Sequence, residues 1–280
     1  MVAVVDPVTV TWCRYAVAAA GLGLFLSRKG TWPQLRHFTG WSGVLLFVCL
    51  AGFAGNNFGY LLGLKLTSPS AAQVVIQLAP ILVIAGAVRL FGEQFGGKQW
   101  IGVAVLVAGV LTFFHQRLSG FRSAGDEYGL GIVALLGAAV LWASYALAQK
   151  KLLQQMSSIS IMWVVYAAGT VLMLPATSLA ALGSLDTTRW LFLAFCCLNS
   201  VVSYGCFSEA LAVWEASRVS AIVALAPLFT VFFTRIAAAL WPGYVAGEAL
   251  DTLNLLGAGL VVIGCIMMAR RDPVPPVAEE

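Results

Sequence analysis

Charge is what this sequence lacks most. Only 10% of its 280 residues are Asp, Glu, Lys or Arg, against about 25% in an ordinary soluble domain. Hydrophobic residues make up 60%, and the two figures together exclude a water-soluble globular protein. Prolines number ten beside 28 glycines, which leaves disordered and fibrous classes without support. No basic run exceeds two residues, and the net charge of +4 comes from 16 basic and 12 acidic side chains. That pattern suits a positive-inside bias and argues against nucleic acid as a partner. The cysteines Cys13, Cys49, Cys196, Cys197, Cys206 and Cys265 all lie in apolar stretches, where a thiol packs as a small hydrophobe rather than forming a disulfide framework. His37 and His115 have no Cys or His neighbour at metal spacing. Neither a metal nor another cofactor is expected, and no segment resembles a cleavable signal peptide.

What remains is a chain of mean hydropathy +0.91, an all-α polytopic membrane protein with the lipid bilayer as its solvent. A bilayer core needs about 20 helical residues. Nine stretches near that length lie at 8–26, 42–64, 70–90, 99–116, 129–149, 159–181, 189–211, 218–240 and 252–269. If the first span begins outside, Lys and Arg at alternate ends divide ten to five in favour of the side that holds Arg28, Lys29, Lys150, Lys151, Arg270 and Arg271. This places the C-terminus in the cytoplasm of a cell with the protein in its inner (cytoplasmic) membrane.

Self-comparison reveals a duplication. A shift of 147 lays Leu64, Ser70, Ala79 and Pro80 on Leu211, Ser217, Ala226 and Pro227. A shift of 155 lays Gly92, Glu93, Gly102 and Gly109 on Gly247, Glu248, Gly257 and Gly264. Upstream, a shift of 151 lays Trp12, Tyr15 and Ala16 on Trp163, Tyr166 and Ala167. Matching spans are separated by an odd number of crossings, so the copies are expected to run in opposite directions through the membrane, a hallmark of secondary transporters. The first repeat occupies 1–116, a loop 117–128, the second repeat 129–271 and a disordered tail 272–280. The second copy has five helices and the first has four, with Met1–Val5 reading as the last turn of a further helix.

Asp6-Pro7 followed by Arg14, Leu64 through Ser70 leading to Pro80, and Gly92-Glu93 followed by Gly102 and Gly109 resemble the EamA-type transporters of the drug/metabolite transporter superfamily. The second copy repeats the pattern at Leu211, Ala216-Ser217, Pro227, Gly247-Glu248, Gly257 and Gly264. The resemblance implies a ten-helix fold of two inverted five-helix repeats, a central cavity, and export of amino acids or related small metabolites.

Transport needs polar groups at depth and helices that bend. Asn56, Asn57 and Tyr60 share one face of the second span, and the duplication lays Asn56 on Ser203 and Asn57 on Tyr204. They line a cavity or only join helices by hydrogen bonds. Gln77 precedes Pro80, and Pro80 and Pro227 frees a backbone carbonyl in each copy and bends its helix, a disposition suited to gating. Trp142, Tyr145 and Gln149 form a stripe, either a binding wall or core. Asn199 and Ser203 lie one turn apart with Tyr204 adjacent. The substrate-binding set is therefore Asn56, Asn57, Tyr60, Gln77, Trp142, Tyr145, Asn199, Ser203 and Tyr204.

A charge at the bilayer centre costs at least about 2.5–3.5 kcal/mol, so Arg14 and Glu209 are the candidates for charge recognition or coupling. Arg14 snorkels, pairs with a carbonyl end or meets an anionic solute; Glu209 is a coupling carboxylate or a solvated helix end. Glu93 and Glu248 read as helix caps. Gly55, Gly59 and Gly63 give one helix a bare side for packing, and Trp32, Trp41, Trp100, Trp190 and Trp241 read as interfacial anchors. A small-molecule exporter leads, and a non-transporting membrane subunit or a fragment is the alternative. A membrane enzyme stands third, because no Gly-x-Ser-x-Gly elbow or paired intramembrane Asp is present. Solute, energy coupling and oligomeric state stay open.

Overall fold

The computed structural model describes residues 6–34, 38–67, 69–113, 126–240 and 252–269, and every regular element among them is helical. Met1–Val5, His37, His115, most of the inter-repeat loop, Trp241, Gly247, Glu248, Arg270, Arg271 and the tail lie outside the described residues.

The helices are α1 (Pro7–Lys29), α2 (Gly40–Leu66), α3 (Pro69–Ile76), α4 (Leu78–Phe91), α5 (Gly97–Phe113), α6 (Asp126–Leu152), α7 (Ser158–Met173), α8 (Thr187–Val213), α9 (Ala216–Val223), α10 (Ala226–Leu240) and α11 (Thr252–Ala269). Among the described residues seven helical segments are long and apolar enough to cross a membrane; Gly97–Phe113 and Ala216–Thr230 are shorter apolar helices. Local chemistry explains several of the ends. Asp6 caps α1 by accepting from the Thr9 amide at 2.9 Å, Pro7 occupies the first turn, and Gly30 closes the helix at φ 63°, a conformation that favours glycine. The expected span 159–181 stops as an α-helix at Met173 and continues in 3-10 turns, because Pro175 clashes with the carbonyl four residues back.

The spans at 70–90 and 218–240 are each two helices. The first breaks at Gln77, next to Ile76, the residue four before Pro80; the second breaks after Val223, four before Pro227. A proline ring denies that carbonyl its partner, and 3-10-type bonds such as Leu228 N to Leu225 O at 3.0 Å bridge the gap.

The chain forms two compact units, Met1–Leu61 with Leu141–Trp214 and Leu62–Val140 with Glu215–Glu280. Each draws on both copies of the duplication. In the first unit, Trp12 near the start of α1 donates to the Thr170 carbonyl near the end of α7 at 3.0 Å. A Cβ on Gly23, toward the other end of α1, would lie 2.9 Å from Trp163 Nε1. The two helices therefore run antiparallel, with the matched pair Tyr15 and Tyr166 meeting edge to face at 5.4 Å. Tyr15, Phe53, Tyr145 and Tyr166 centre the core of this unit.

In the second unit α5 and α11 also run antiparallel, and their contacts come in exchanged pairs. Gln99 donates to the Met268 carbonyl at 2.9 Å, while Asn254 donates to the Phe113 carbonyl at 2.5 Å. The shift of 155 carries Gln99 onto Asn254 and Phe113 onto Met268, so the two bonds are the same bond made twice. The glycines do likewise. A Cβ on Gly102 would lie 3.0 Å from the Gly264 carbonyl, and one on Gly109 3.0 Å from that of Gly257. Contact of i with j and of j with i is the signature of a two-fold relation. Bare backbones let the helices meet this closely.

Candidate functional site

Within the first unit, α1, α2, α6, α7 and α8 converge on a cluster of rings. Phe53 is its hub, fully buried, with ring centroids of Tyr15, Tyr145, Tyr166 and Tyr204 at 5.3, 5.0, 5.8 and 4.9 Å. Trp142 lies on its flank, 5.4 Å from Tyr145, 6.1 Å from Tyr204 and 5.3 Å from Phe207. Trp142, Tyr204 and Phe207 are half-buried, whereas Tyr145 is fully enclosed. Tyr145 donates to Met162 Sδ at 3.4 Å, so it serves more as wall than as a contact for solute.

Arg14 stands at the polar edge of this cluster, half-buried. It does not reach for the end of its helix. Its Nε donates to Ser200 Oγ at 2.6 Å, in the middle of α8, and the guanidinium also engages the Tyr204 hydroxyl. Ser200 is already spoken for: its hydroxyl donates to the Cys196 carbonyl at 2.8 Å, and its own carbonyl accepts from Tyr166 at 3.2 Å. Among the described residues no carboxylate pairs with Arg14. The Tyr15 hydroxyl is buried without a hydrogen bond among the described residues, with Asn57 close by. Asn57 donates to the Phe53 carbonyl one turn back at 2.8 Å. Asn56 is buried and Tyr60 half-buried.

The sequence placed Asn199, Ser203 and Tyr204 together, and the structure sets Tyr204 apart from the other two. Tyr204 joins the rings; Asn199 and Ser203 are exposed on α8, with Ser203 donating to Asn199 at 3.1 Å. The reason is helical phase. Ser200 and Tyr204 are one turn apart on the inward face, so neighbouring positions turn outward. Gln149, the last of its stripe, is fully buried and donates to Ser208 Oγ at 2.8 Å, while its Oε1 has no partner among the described residues. Glu209 is exposed and accepts from Ser158, the first residue of α7, where the helix dipole favours an anion.

Gln77 belongs to the second unit and is not free. It is buried and donates to the Ala224 carbonyl at 2.9 Å. Ala224 is its own match under the shift of 147, and its carbonyl is left over by the break that Pro227 makes. The clasp also sets direction: α4 begins where α9 ends. At the opposite end Glu93 accepts from the Ala216 and Ser217 amides at 2.8 and 3.0 Å and from Ser217 Oγ at 2.6 Å. Glu93 is thus a cap, but of α9 across the unit rather than of the helix that follows it, whose start is held by Gln99 accepting from the Gly96 amide at 2.7 Å. A cavity of about 260 Å³ in this unit is lined by Val74, Gln77, Leu78, Ile81, Leu106 and Val110, among others, almost all apolar and better matched to hydrocarbon than to a hydrophilic solute.

Sequence reasoning missed Phe53, Tyr166 and Ser200 as site residues. Two left a signal. Phe53 sits one turn before Asn56 and Asn57 on the same face, and Tyr166 is the duplicate of the residue that follows Arg14. Ser200 left none.

A family model described as the EamA-like transporter family matches residues 1–114 and again 129–270. The chain is 35% identical over 268 residues to an uncharacterized inner membrane transporter, YhbE, of Escherichia coli (strain K12), covering 95% of this chain and 83% of that one. It is 28% identical over 226 residues to a probable amino-acid metabolite efflux pump of the same organism, covering 76% and 69%. A solved protein structure superposes with a TM-score of 0.74 at 18% identity, over 95% of this chain and 90% of that one, a likeness of fold alone.

Proposed function

The chain belongs to the EamA-like transporter family, and we infer that it is a secondary transporter exporting amino acids or related small metabolites across the cytoplasmic membrane by alternating access. One observation carries the reading. Helices matched by the duplication pair antiparallel, α1 with α7 and α5 with α11, the latter through contacts that exchange partners. Two copies inverted in this way can trade conformations, and each trade exposes a midplane site to the other side. We take the full arrangement to be two inverted repeats, with the C-terminus in the cytoplasm.

In this account the solute meets Arg14, Tyr204 and Trp142, with Asn56, Asn57 and Tyr60 on the neighbouring face of α2. The breaks at Pro80 and Pro227 are the flexing points. Reconstitution tests the reading. Proteoliposomes loaded with unlabelled L-leucine or L-phenylalanine should accumulate the labelled amino acid from outside by counterflow. Empty liposomes supply the baseline, and no accumulation above it across a panel of amino acids and their metabolites contradicts the reading.

A further inference from the structure

We propose that Arg14 is the specificity residue for a free carboxylate on the transported solute, with the Tyr204 and Trp142 rings receiving the solute's apolar portion. The assignment rests on the transporter reading above and names the chemical group that this site selects.

An arginine is permanently cationic, and a cation within a membrane span either pairs with an anion or marks a functional site. Arg14 has no carboxylate partner among the described residues, and it points inward to Ser200 rather than along its helix to water. The bond it makes spends Nε, one of five donors. Ser200 cannot neutralise the charge, and its proton is committed to the Cys196 carbonyl. The bond does something else: it fixes the plane of the guanidinium, as does contact with Tyr204. A carboxylate accepts two parallel N–H bonds from such a fork, a geometry that neither an amide nor a hydroxyl can satisfy with the same charge.

The surroundings favour an organic acid over an inorganic anion. Tyr204 adjoins the guanidinium, and Trp142 lies 6.1 Å from Tyr204, centroid to centroid. Both are half-buried and pack against the enclosed core of this unit. A solute holding its carboxylate on Arg14 would lay an aliphatic or aromatic side chain along these rings. The Tyr15 hydroxyl, buried and without a hydrogen bond among the described residues, lies within electrostatic reach of Arg14.

The test compares acids with their amides. Binding of L-phenylalanine and L-phenylalaninamide, and of L-leucine and L-leucinamide, is measured by calorimetry on the purified full chain. The wild type is expected to prefer each acid by at least tenfold. Arg14→Gln should erase that preference by weakening the acid while leaving the amide unchanged; Arg14→Lys, with charge but no fork, should retain only part of it. Ser200→Ala, which frees the guanidinium to rotate, should reduce the preference without abolishing it. A thermal melt confirms that each variant is folded, and if Arg14→Gln does not fold, the lysine and Ser200 variants decide. Equal or absent binding of acid and amide in both pairs, or a preference that survives Arg14→Gln, overturns the assignment. Counterflow separates the two readings: acid-selective binding without counterflow sinks the transporter reading alone, and counterflow indifferent to the carboxylate sinks this one alone.

Discussion

Asp6 shows how much a single side chain does at the edge of this molecule. It accepts from the Thr9 amide at 2.9 Å and from the Thr9 hydroxyl at 2.6 Å. Burial alone would raise its carboxyl pKa, but those bonds, with the Val8 amide, outweigh it and hold the group below the ordinary 3.8. Such a carboxylate contributes stability that is complete above the ordinary value and is lost as the pH falls through the lowered one. Asp6→Ala should therefore lower stability by about 1 kcal/mol near neutral pH, while Asp6→Asn should keep most of the cap and lose its acid dependence. Melting in detergent at neutral and acid pH checks both. The sequence singled out Asp6-Pro7 only through the family resemblance, although a cap is local and Asp, Pro and Thr stand within one turn. Arg14 was legible only as an anomaly. That it turns inward depends on Ser200, 186 positions away, and nothing in the local sequence encodes such a partner. Gln77 was read as a polar contact for solute, but its engagement with Ala224 follows from the break at Pro227, which exists only once the second copy is folded beside it.

At the scale of helices, hydropathy located the spans to within a few residues, apart from 159–181, whose α-helix stops at Met173, since lipid demands about 20 apolar residues whatever their identity. It did not locate the breaks inside 70–90 and 218–240, which hydropathy runs straight through. Those breaks define a prediction. Pro80→Ala or Pro227→Ala restores a backbone donor, so each variant should be at least as stable as the wild type yet slower in counterflow; unchanged rates in both would remove the prolines from gating. The α5–α11 pair supplies a second. A Cβ on Gly109 would sit 2.6 Å from the Val261 amide nitrogen, and one on Gly257 2.4 Å from that of Phe113. Backbone cannot move aside as a side chain can, so Gly109→Ala and Gly257→Ala should each destabilise by about 1–3 kcal/mol. Gly137→Ala, with open space around its added carbon, should be neutral. Glu93 adds a lesson about reach. Its acid character and position after a glycine announced a cap, yet the helix it caps is α9, because the antiparallel course of α4 and α9 brings the end of one to the start of the other.

For the molecule as a whole, the proposed duplication is the premise from which the account proceeds, and it was read from matches at shifts of 147, 151 and 155 that fall in order along the chain. The exchange of contacts between copies was not, since identity of residues says nothing of which face each helix turns to its mate. The central claim is that the two copies cross the membrane in opposite directions. Sided thiol labelling tests it most directly. In a background without native cysteines, Thr67→Cys lies two residues before α3, and Glu215→Cys immediately precedes α9, the counterpart of α3 in the second copy. A membrane-impermeant maleimide applied to intact cells should react with one of the two, and the other should react only after the membrane is opened. Labelling of both from the same side would contradict the account.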